Sequence, residues 1–182
     1  MMDELPTDCD FLVHLGDTRS AEDDDECVAE DYRRVRDILL DSPVPAFGVI
    51  GDNDWTDCPN RAEGKALWEA NFKNLHSSWS HNFSIERLAG RDENFAFLHK
   101  GVLYLGLTIV GGSVHDEDEW EDRLTALSDW AIAKMKQYDA PTVIFGHANP
   151  TASHGDFFVP MRNFIANSFG KRVLYVNGDR HM

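Results

Sequence analysis

The stretch GDNDWTDC at residues 51–58 directly follows a short apolar run, AFGVI, at residues 46–50. The apolar run is typical of a buried β-strand, and the glycine after it lets the backbone turn sharply. The same pattern, a strand followed by glycine and a side chain that can bind a metal ion, recurs three times. These strand tips are Gly16-Asp17 after FLVHL, Gly146-His147 after TVIF and Gly178-Asp179-Arg180-His181 after RVLYVN.

Strand patterns alternate with amphipathic helix patterns along the chain. Apolar residues recur at helical spacing from Val28 to Leu39 and from Trp120 to Met135. A third helix is predicted from about Ala62 to Leu75, and a fourth is predicted to begin near Pro160. The alternation predicts an α/β fold with a sheet that is at least partly parallel. No repeat or linker interrupts residues 1–182, which indicates a single domain.

The four strand tips are expected to meet, because ligands of open α/β sheets bind where the carboxyl ends of the strands come together. A single Gly-Asp pair after a strand is often only a turn. Four tips that all carry carboxylate or imidazole groups indicate a metal site instead. This mixture of ligands suits manganese, iron or zinc better than calcium or magnesium.

The charge of the chain excludes two classes of partner. With 17 Lys and Arg against 32 Asp and Glu, the formal net charge is −15. A protein that binds the nucleic-acid backbone, or an anionic membrane surface, would need clustered basic residues. We therefore expect neither nucleic-acid backbone binding nor membrane binding, and the apolar runs are too short to span a bilayer. No targeting signal is visible, and the oligomeric state stays open.

In order and spacing, these motifs resemble those of the calcineurin-like metallophosphoesterases. That family has Asp-x-His, Gly-Asp, Gly-Asn-His-Asp/Glu, Gly-His and Gly-His-x-His at successive strand ends, and the last four have counterparts here between Gly16 and His181. Residues 51–58 are similar to the Gly-Asp-Asn-Glu/Asp-Trp-x-Asp-Cys signature of one branch. The resemblance implies a sandwich of mixed β-sheets flanked by helices. It also implies hydrolysis of phosphate mono- or diesters by metal-bound hydroxide at a dinuclear site.

The same resemblance assigns metal ligands and cofactors. One ion would be held by the set Asp17, Asp52, His147 and Asp179. The other would take Asp17 as a bridge together with His181. The cofactors would be two divalent or trivalent ions of manganese, iron or zinc, with single occupancy as the alternative.

The catalytic side chains depart from the family pattern. Asn53 stands where the family has a histidine, and an amide can donate a hydrogen bond but cannot transfer a proton. We predict that Asn53 acts with His154, which lies in the loop after His147, and with Arg180, which would bind a phosphate. Other candidates near the expected mouth of the site are Arg19, Asn60 and Arg61. His14 lies within a strand, where we expect a packed side chain rather than a catalytic one.

The family's Asp-x-His motif has no counterpart in this sequence. Gly16 lies too close to Met1 for the strand that would carry that motif, and His181 is the penultimate residue. We therefore expect a domain that is incomplete at both ends. A degenerate, non-catalytic domain that binds metal or a partner is the alternative to the enzyme.

Two of the three cysteines, Cys27 and Cys58, follow strand tips that are expected to be neighbours. A disulfide between them is a hypothesis from this placement. Such a bond would indicate an oxidising, extracytoplasmic compartment.

Overall fold

The computed structural model describes residues 8–19 and 26–180, and within these ranges seven strands form two sheets. The first sheet is a parallel pair, β1 (Leu12–His14) and β2 (Ala46–Gly48). The second has the order β3 (Glu86–Leu88), β4 (Arg91–His99), β5 (Val102–Gly106), β6 (Thr142–Phe145) and β7 (Val173–Val176). Strands β3, β4 and β5 are antiparallel, whereas β5, β6 and β7 are parallel. The predicted α/β fold with a partly parallel sheet is confirmed.

Four α-helices alternate with these strands in the described part of the chain. They are α1 (Ala29–Leu40), α2 (Arg61–Phe72), α3 (Glu117–Tyr138) and α4 (Gly155–Ala166). Helix α2 ends before Leu75, where a short 3₁₀ turn begins. The prediction that α4 begins near Pro160 is wrong, because the helix starts five residues earlier. That first part of α4 carries Phe157, which is buried in the core, so tertiary packing extends the helix ahead of the proline.

The two sheets pack face to face through a layer of aromatic rings. The Phe47 ring of β2 lies 5.0 Å from the Phe95 ring and 4.9 Å from the Phe97 ring of β4, measured between centroids. At one edge of this layer, the Phe11 ring lies 4.9 Å from the Tyr104 ring of β5. Aromatic burial of this kind dominates core energetics and fixes how the sheets are stacked.

Helices cover the outer faces of both sheets. A side-chain carbon placed on Gly48 of β2 would lie 3.3 Å from Phe72 and 3.6 Å from Trp68, so α2 rests directly on the small sheet. On the other side, Leu105 and Ile144 share a buried cluster with residues of α3 and α4. The layers therefore run helix, sheet, sheet, helix. No helix in the described part of the chain is long and apolar enough to cross a membrane.

A disulfide joins Cys27, just before α1, to Cys58, in the loop after β2. The hypothesised pairing is therefore present in the structure, and Cys9 is left as a free thiol. The bond ties the GDNDWTDC loop to α1. Tyr32 of α1 reinforces this link, because its hydroxyl donates a hydrogen bond to the carbonyl oxygen of Asp54 at 3.0 Å.

Removing this disulfide should lower the free energy of unfolding by about 3–4 kcal/mol, because the bond closes a loop between residues 31 positions apart. We expect urea unfolding of a Cys27→Ala/Cys58→Ala double variant to show this loss, and reductant to destabilise the wild type similarly. Cys9→Ala is the matched control and should change stability little. A native protein with three reactive thiols in the absence of reductant would contradict the bond.

Candidate metal centre

Three of the four predicted strand tips meet at one point. One ligand atom from each of Asp17, Asp52 and His147 can be chosen so that all lie within 4.8 Å of one another. Asp17 follows β1, Asp52 follows β2, and His147 follows β6, so both sheets contribute to the cluster. The convergence expected from the sequence is confirmed for these residues, and this group could hold a metal ion.

The His147 ring is fixed in the orientation of a metal ligand. Its side chain is fully buried, and Nδ1 donates a hydrogen bond to the carbonyl oxygen of Leu15 at 2.6 Å. This leaves Nε2 facing the carboxylates, 2.8 Å from Asp52 Oδ1 and 3.3 Å from Asp17 Oδ1. Neither contact has the geometry of a hydrogen bond. Metal-binding histidines usually donate one ring N–H to a backbone carbonyl or a carboxylate in this way, which orients the other ring nitrogen for the metal ion.

The two largely buried carboxylates of the cluster require a positive charge beside them. The side chains of Asp17 and Asp52 are only 8% and 14% exposed. In the absence of metal, burial disfavours the imidazolium, but the two carboxylates outweigh burial and raise the pKa of His147 to about 10. A bound cation would take the place of the Nε2 proton, since metal binding requires the neutral ring. The donor set therefore fits a divalent metal ion.

Glycines at the strand tips allow this close approach. Gly16 has a φ of +91°, and a side-chain carbon there would lie 2.6 Å from the Gly51 nitrogen and 2.7 Å from His147 Nδ1. A side-chain carbon on Gly51 would collide with the carboxylate of Asp17. Asp17 itself has a left-handed φ of +58°, a conformation that Asp tolerates better than most residues. The glycines at the strand ends therefore leave the space that the ligand side chains of the neighbouring strand ends occupy.

Asp54 organises the two loops that carry the carboxylate ligands. It is fully buried, and its Oδ2 accepts hydrogen bonds from the backbone N–H groups of Asp17 and Gly51, both at 3.0 Å. Its Oδ1 accepts from the backbone N–H and the hydroxyl of Thr18. Burial raises the pKa of the Asp54 carboxyl, while the bonds from Thr18 and Gly51 favour its ionised form. Asp54 therefore holds the Asp17 turn against the loop after β2.

Asp179, at the fourth tip, lies beside the cluster but outside the group of three. Its Oδ2 accepts hydrogen bonds from the side-chain amide of Asn149 at 3.0 Å and from the Asn149 backbone at 3.3 Å. A side-chain carbon on Gly111 would lie 3.8 Å from Asp179 Oδ2 and 2.9 Å from Asp52 Oδ2. The two carboxylates therefore stand close to the same glycine. His181 lies outside the described residues.

The amide of Asn53 is used within the loop. Its Nδ2 donates a hydrogen bond to the carbonyl oxygen of Arg19 at 3.2 Å, and the side chain is buried. The backbone N–H of Asn53 donates to Asp17 Oδ1 at 3.2 Å. The structure thus shows Asn53 supporting a ligand through its backbone. Its role toward a substrate stays a prediction.

His154 and Arg180 occupy contrasting environments. His154 is buried, with Nε2 2.7 Å from the carbonyl oxygen of Val110 and Nδ1 2.8 Å from the Thr151 hydroxyl. Burial lowers the pKa of His154 below its ordinary value. Arg180 is exposed. The structure does not place either side chain in the group of three ligands, and the catalytic role of each stays a prediction.

Sequence reasoning missed three groups that support the centre. The Leu15 carbonyl and the Thr18 hydroxyl carry no motif, because any residue offers a carbonyl and threonine is common after strands. Asn149 was detectable in principle, since it lies two residues after His147 and within the same loop.

His14 is a packed residue: its Nδ1 accepts a hydrogen bond from the Gly16 N–H, and burial lowers its pKa.

Comparisons of the chain with protein-family models, with curated proteins and with solved structures found no match.

Proposed function

We propose that this protein is a metal-dependent hydrolase of phosphate mono- or diesters. The observation that carries the proposal is the buried group of Asp17, Asp52 and His147, with Nε2 of the histidine oriented toward both carboxylates. When bound, metal ions at such a centre polarise phosphoryl oxygens and acidify water at neutral pH. The chain's own contribution is to fix the ligands and to exclude bulk solvent from around His147.

The order of the motifs and the layered architecture both support membership of the calcineurin-like metallophosphoesterases. The helix–sheet–sheet–helix arrangement is compatible with the sandwich of that family. Two ions of manganese, iron or zinc would then be bound. Asp17, Asp52 and His147 would hold one of them, with Asp179 joining after release from Asn149. Asp17 and His181 would contribute to the other.

A non-catalytic, metal-binding domain is the second candidate function. It is favoured by the surroundings of two predicted catalytic side chains. The Asn53 amide is bonded to the Arg19 carbonyl, and both ring nitrogens of His154 have partners. An amide cannot transfer a proton to a leaving group, and His154 could do so only after its hydrogen bonds rearrange. Esters with good leaving groups, which need no acid, therefore give the fairest assay of hydrolysis.

The disulfide bears on where the protein works. Disulfides persist in oxidising compartments and are rare where thiols are kept reduced. Because Cys27 and Cys58 are bonded beside the candidate centre, we propose an extracytoplasmic site of action.

Asp52→Asn tests the proposed function directly. An amide oxygen keeps the shape of the ligand but carries no charge, so we expect roughly tenfold weaker manganese binding by calorimetry. Turnover of bis(4-nitrophenyl) phosphate per bound ion should rise, because a less charged ligand leaves the ion a stronger Lewis acid. The exposed Asp37→Asn on α1 is the matched control. Metal binding without hydrolysis of mono- or diester in the wild type would favour the non-catalytic domain.

A further inference from the structure

A cavity of about 210 Å³ adjoins the candidate metal centre. It lies between the loop after β2, the loop after β5 and the first turns of α3. The indoles of Trp55 and Trp120 form part of its wall, and its lining includes Arg61, His115 and Arg123. Three side chains that are or can become cationic thus face one small space in a chain whose net charge is −15.

Arg123 is a buried cation in this wall. It is fully buried, and its guanidinium carbon lies 5.1 Å from the ring centroid of Trp55 and 4.8 Å from that of Trp120. Nε donates to the Glu119 carboxylate, and Nη1 donates to the carbonyl oxygen of Thr108 at 2.9 Å. Nη2 has no hydrogen-bond partner within residues 8–19 and 26–180. A buried guanidinium donor without a partner is costly, and an anion would satisfy it.

The acidic side chains of the cavity are already engaged. The Glu119 carboxylate accepts hydrogen bonds at 3.0 Å from Arg91 Nη1 and from Arg123 Nε. Asp116 caps α3, with its Oδ1 accepting from the Glu119 backbone N–H at 3.0 Å. The Glu119 carboxylate is therefore paired with two arginines, while Arg123 Nη2 has no hydrogen-bond partner in the described part of the chain. This imbalance favours an anionic ligand over a cation.

His115 and Arg61 are side chains of the cavity lining that are exposed to solvent. His115 Nε2 lies 2.8 Å from the carbonyl oxygen of Thr56, which can only accept a hydrogen bond, so Nε2 carries the proton. Arg61 is exposed in the first turn of α2. A ligand can therefore reach both side chains from solvent without a change in the fold.

The cavity and the metal centre are separated by a single pair of loops. The Thr56 hydroxyl, in the cavity lining, donates a hydrogen bond to the Gly111 carbonyl oxygen at 3.2 Å. On its other side, Gly111 approaches Asp52, since a side-chain carbon there would lie 2.9 Å from Asp52 Oδ2. The cavity therefore lies close to Asp52, one of the candidate metal ligands.

We propose that this cavity binds a second anionic group, a phosphate or a carboxylate, of the substrate whose phosphate ester lies at the metal centre. This inference rests on the proposed function and narrows its substrate class to phosphate esters with a further negative charge. Arg61 and His115 contact the group from the solvent side, and Arg123 provides a fixed positive charge in the wall.

The binding step is tested on metal-stripped protein, in which the carboxylates of the empty centre repel anions. Calorimetric titration with inorganic phosphate, and separately with acetate, should show binding that Arg61→Ala weakens by about tenfold or more. Arg34→Ala, an exposed arginine on α1, is the matched control. Absence of binding by the wild type, or equal affinities for the Arg61 and Arg34 variants, would overturn the proposal.

A second measurement separates this inference from the proposed function. With manganese bound, the wild type should have a higher kcat/KM for 3-carboxy-4-nitrophenyl phosphate than for 4-nitrophenyl phosphate, which has a similarly good leaving group, and Arg61→Ala should remove that preference. Equal turnover of both esters by the wild type would refute the second anion site and leave the hydrolase standing. Failure to hydrolyse either ester would refute the hydrolase, and the metal-free titration would still decide whether the cavity binds anions.

Discussion

His147→Ala should abolish high-affinity metal binding and, with it, any phosphoesterase activity. His147 supplies the only nitrogen ligand of the described three-residue group, and its Nε2 lies 2.8 Å from Asp52 Oδ1. Loss of a residue that merely supports a ligand costs roughly 10–100-fold in metal affinity, so loss of the ligand itself should exceed that range. Calorimetry with manganese and zinc, together with metal analysis of the purified variant, would measure the change.

The same substitution should also destabilise the metal-free protein, by about 3–5 kcal/mol, because two largely buried carboxylates lose their counter-charge. The pH dependence has a defined sign. Since the pKa of His147 is raised from 6.5 to about 10, its stabilising charge is fully present below pH 6.5 and is lost as the pH rises through about 10. Urea unfolding of the metal-stripped wild type should show this decline, and His147→Ala should not.

His99→Ala is the control for both measurements, because His99 pairs with Asp10 at the far end of β4. It should leave metal affinity unchanged. If His147→Ala bound manganese as tightly as the His99 variant, the three-residue group would not be the metal centre.

The convergence of the ligands could be predicted from sequence because it follows from topology. Parallel strands of one sheet end at the same edge, which brings Asp17 beside Asp52, and the glycines at these ends make room for the close approach, as at Gly16 and Gly51. His147 follows a strand of the other sheet, so its approach depends also on how the two sheets stack. Helix α3 could be predicted equally well, since its apolar residues keep helical spacing from Trp120 to Met135. Regular periodicity is a property of the local chain, which a sequence displays directly.

The orientation of individual side chains could not be predicted, because it depends on neighbours that are distant in sequence. Asp179 follows a strand like the other tips, but the amide of Asn149 competes for its carboxylate. His154 is fixed by the carbonyl of Val110, 44 positions earlier in the chain. Strand β3 was missed for a related reason: its residues, Glu86–Leu88, have no apolar pattern and pair only through β4.

Asp54→Asn should destabilise the protein by about 3–5 kcal/mol, although it replaces one oxygen by an isosteric amide nitrogen. Both carboxylate oxygens of Asp54 accept two hydrogen bonds each, from Asp17 and Gly51 on one side and from Thr18 on the other. An amide group presents N–H donors to one of these pairs whichever way it is turned. Donor would then face donor inside a fully buried site.

The Asp54→Asn substitution should also weaken metal binding, because the hydrogen bonds of Asp54 hold the left-handed turn at Asp17. We expect manganese affinity to fall roughly 10–100-fold in Asp54→Asn, measured at a temperature where circular dichroism shows the variant folded. Asp37→Asn, an exposed aspartate on α1, is the control and should change either quantity far less. A destabilised Asp54 variant with wild-type metal affinity would show that Asp54 supports the fold without positioning the ligands.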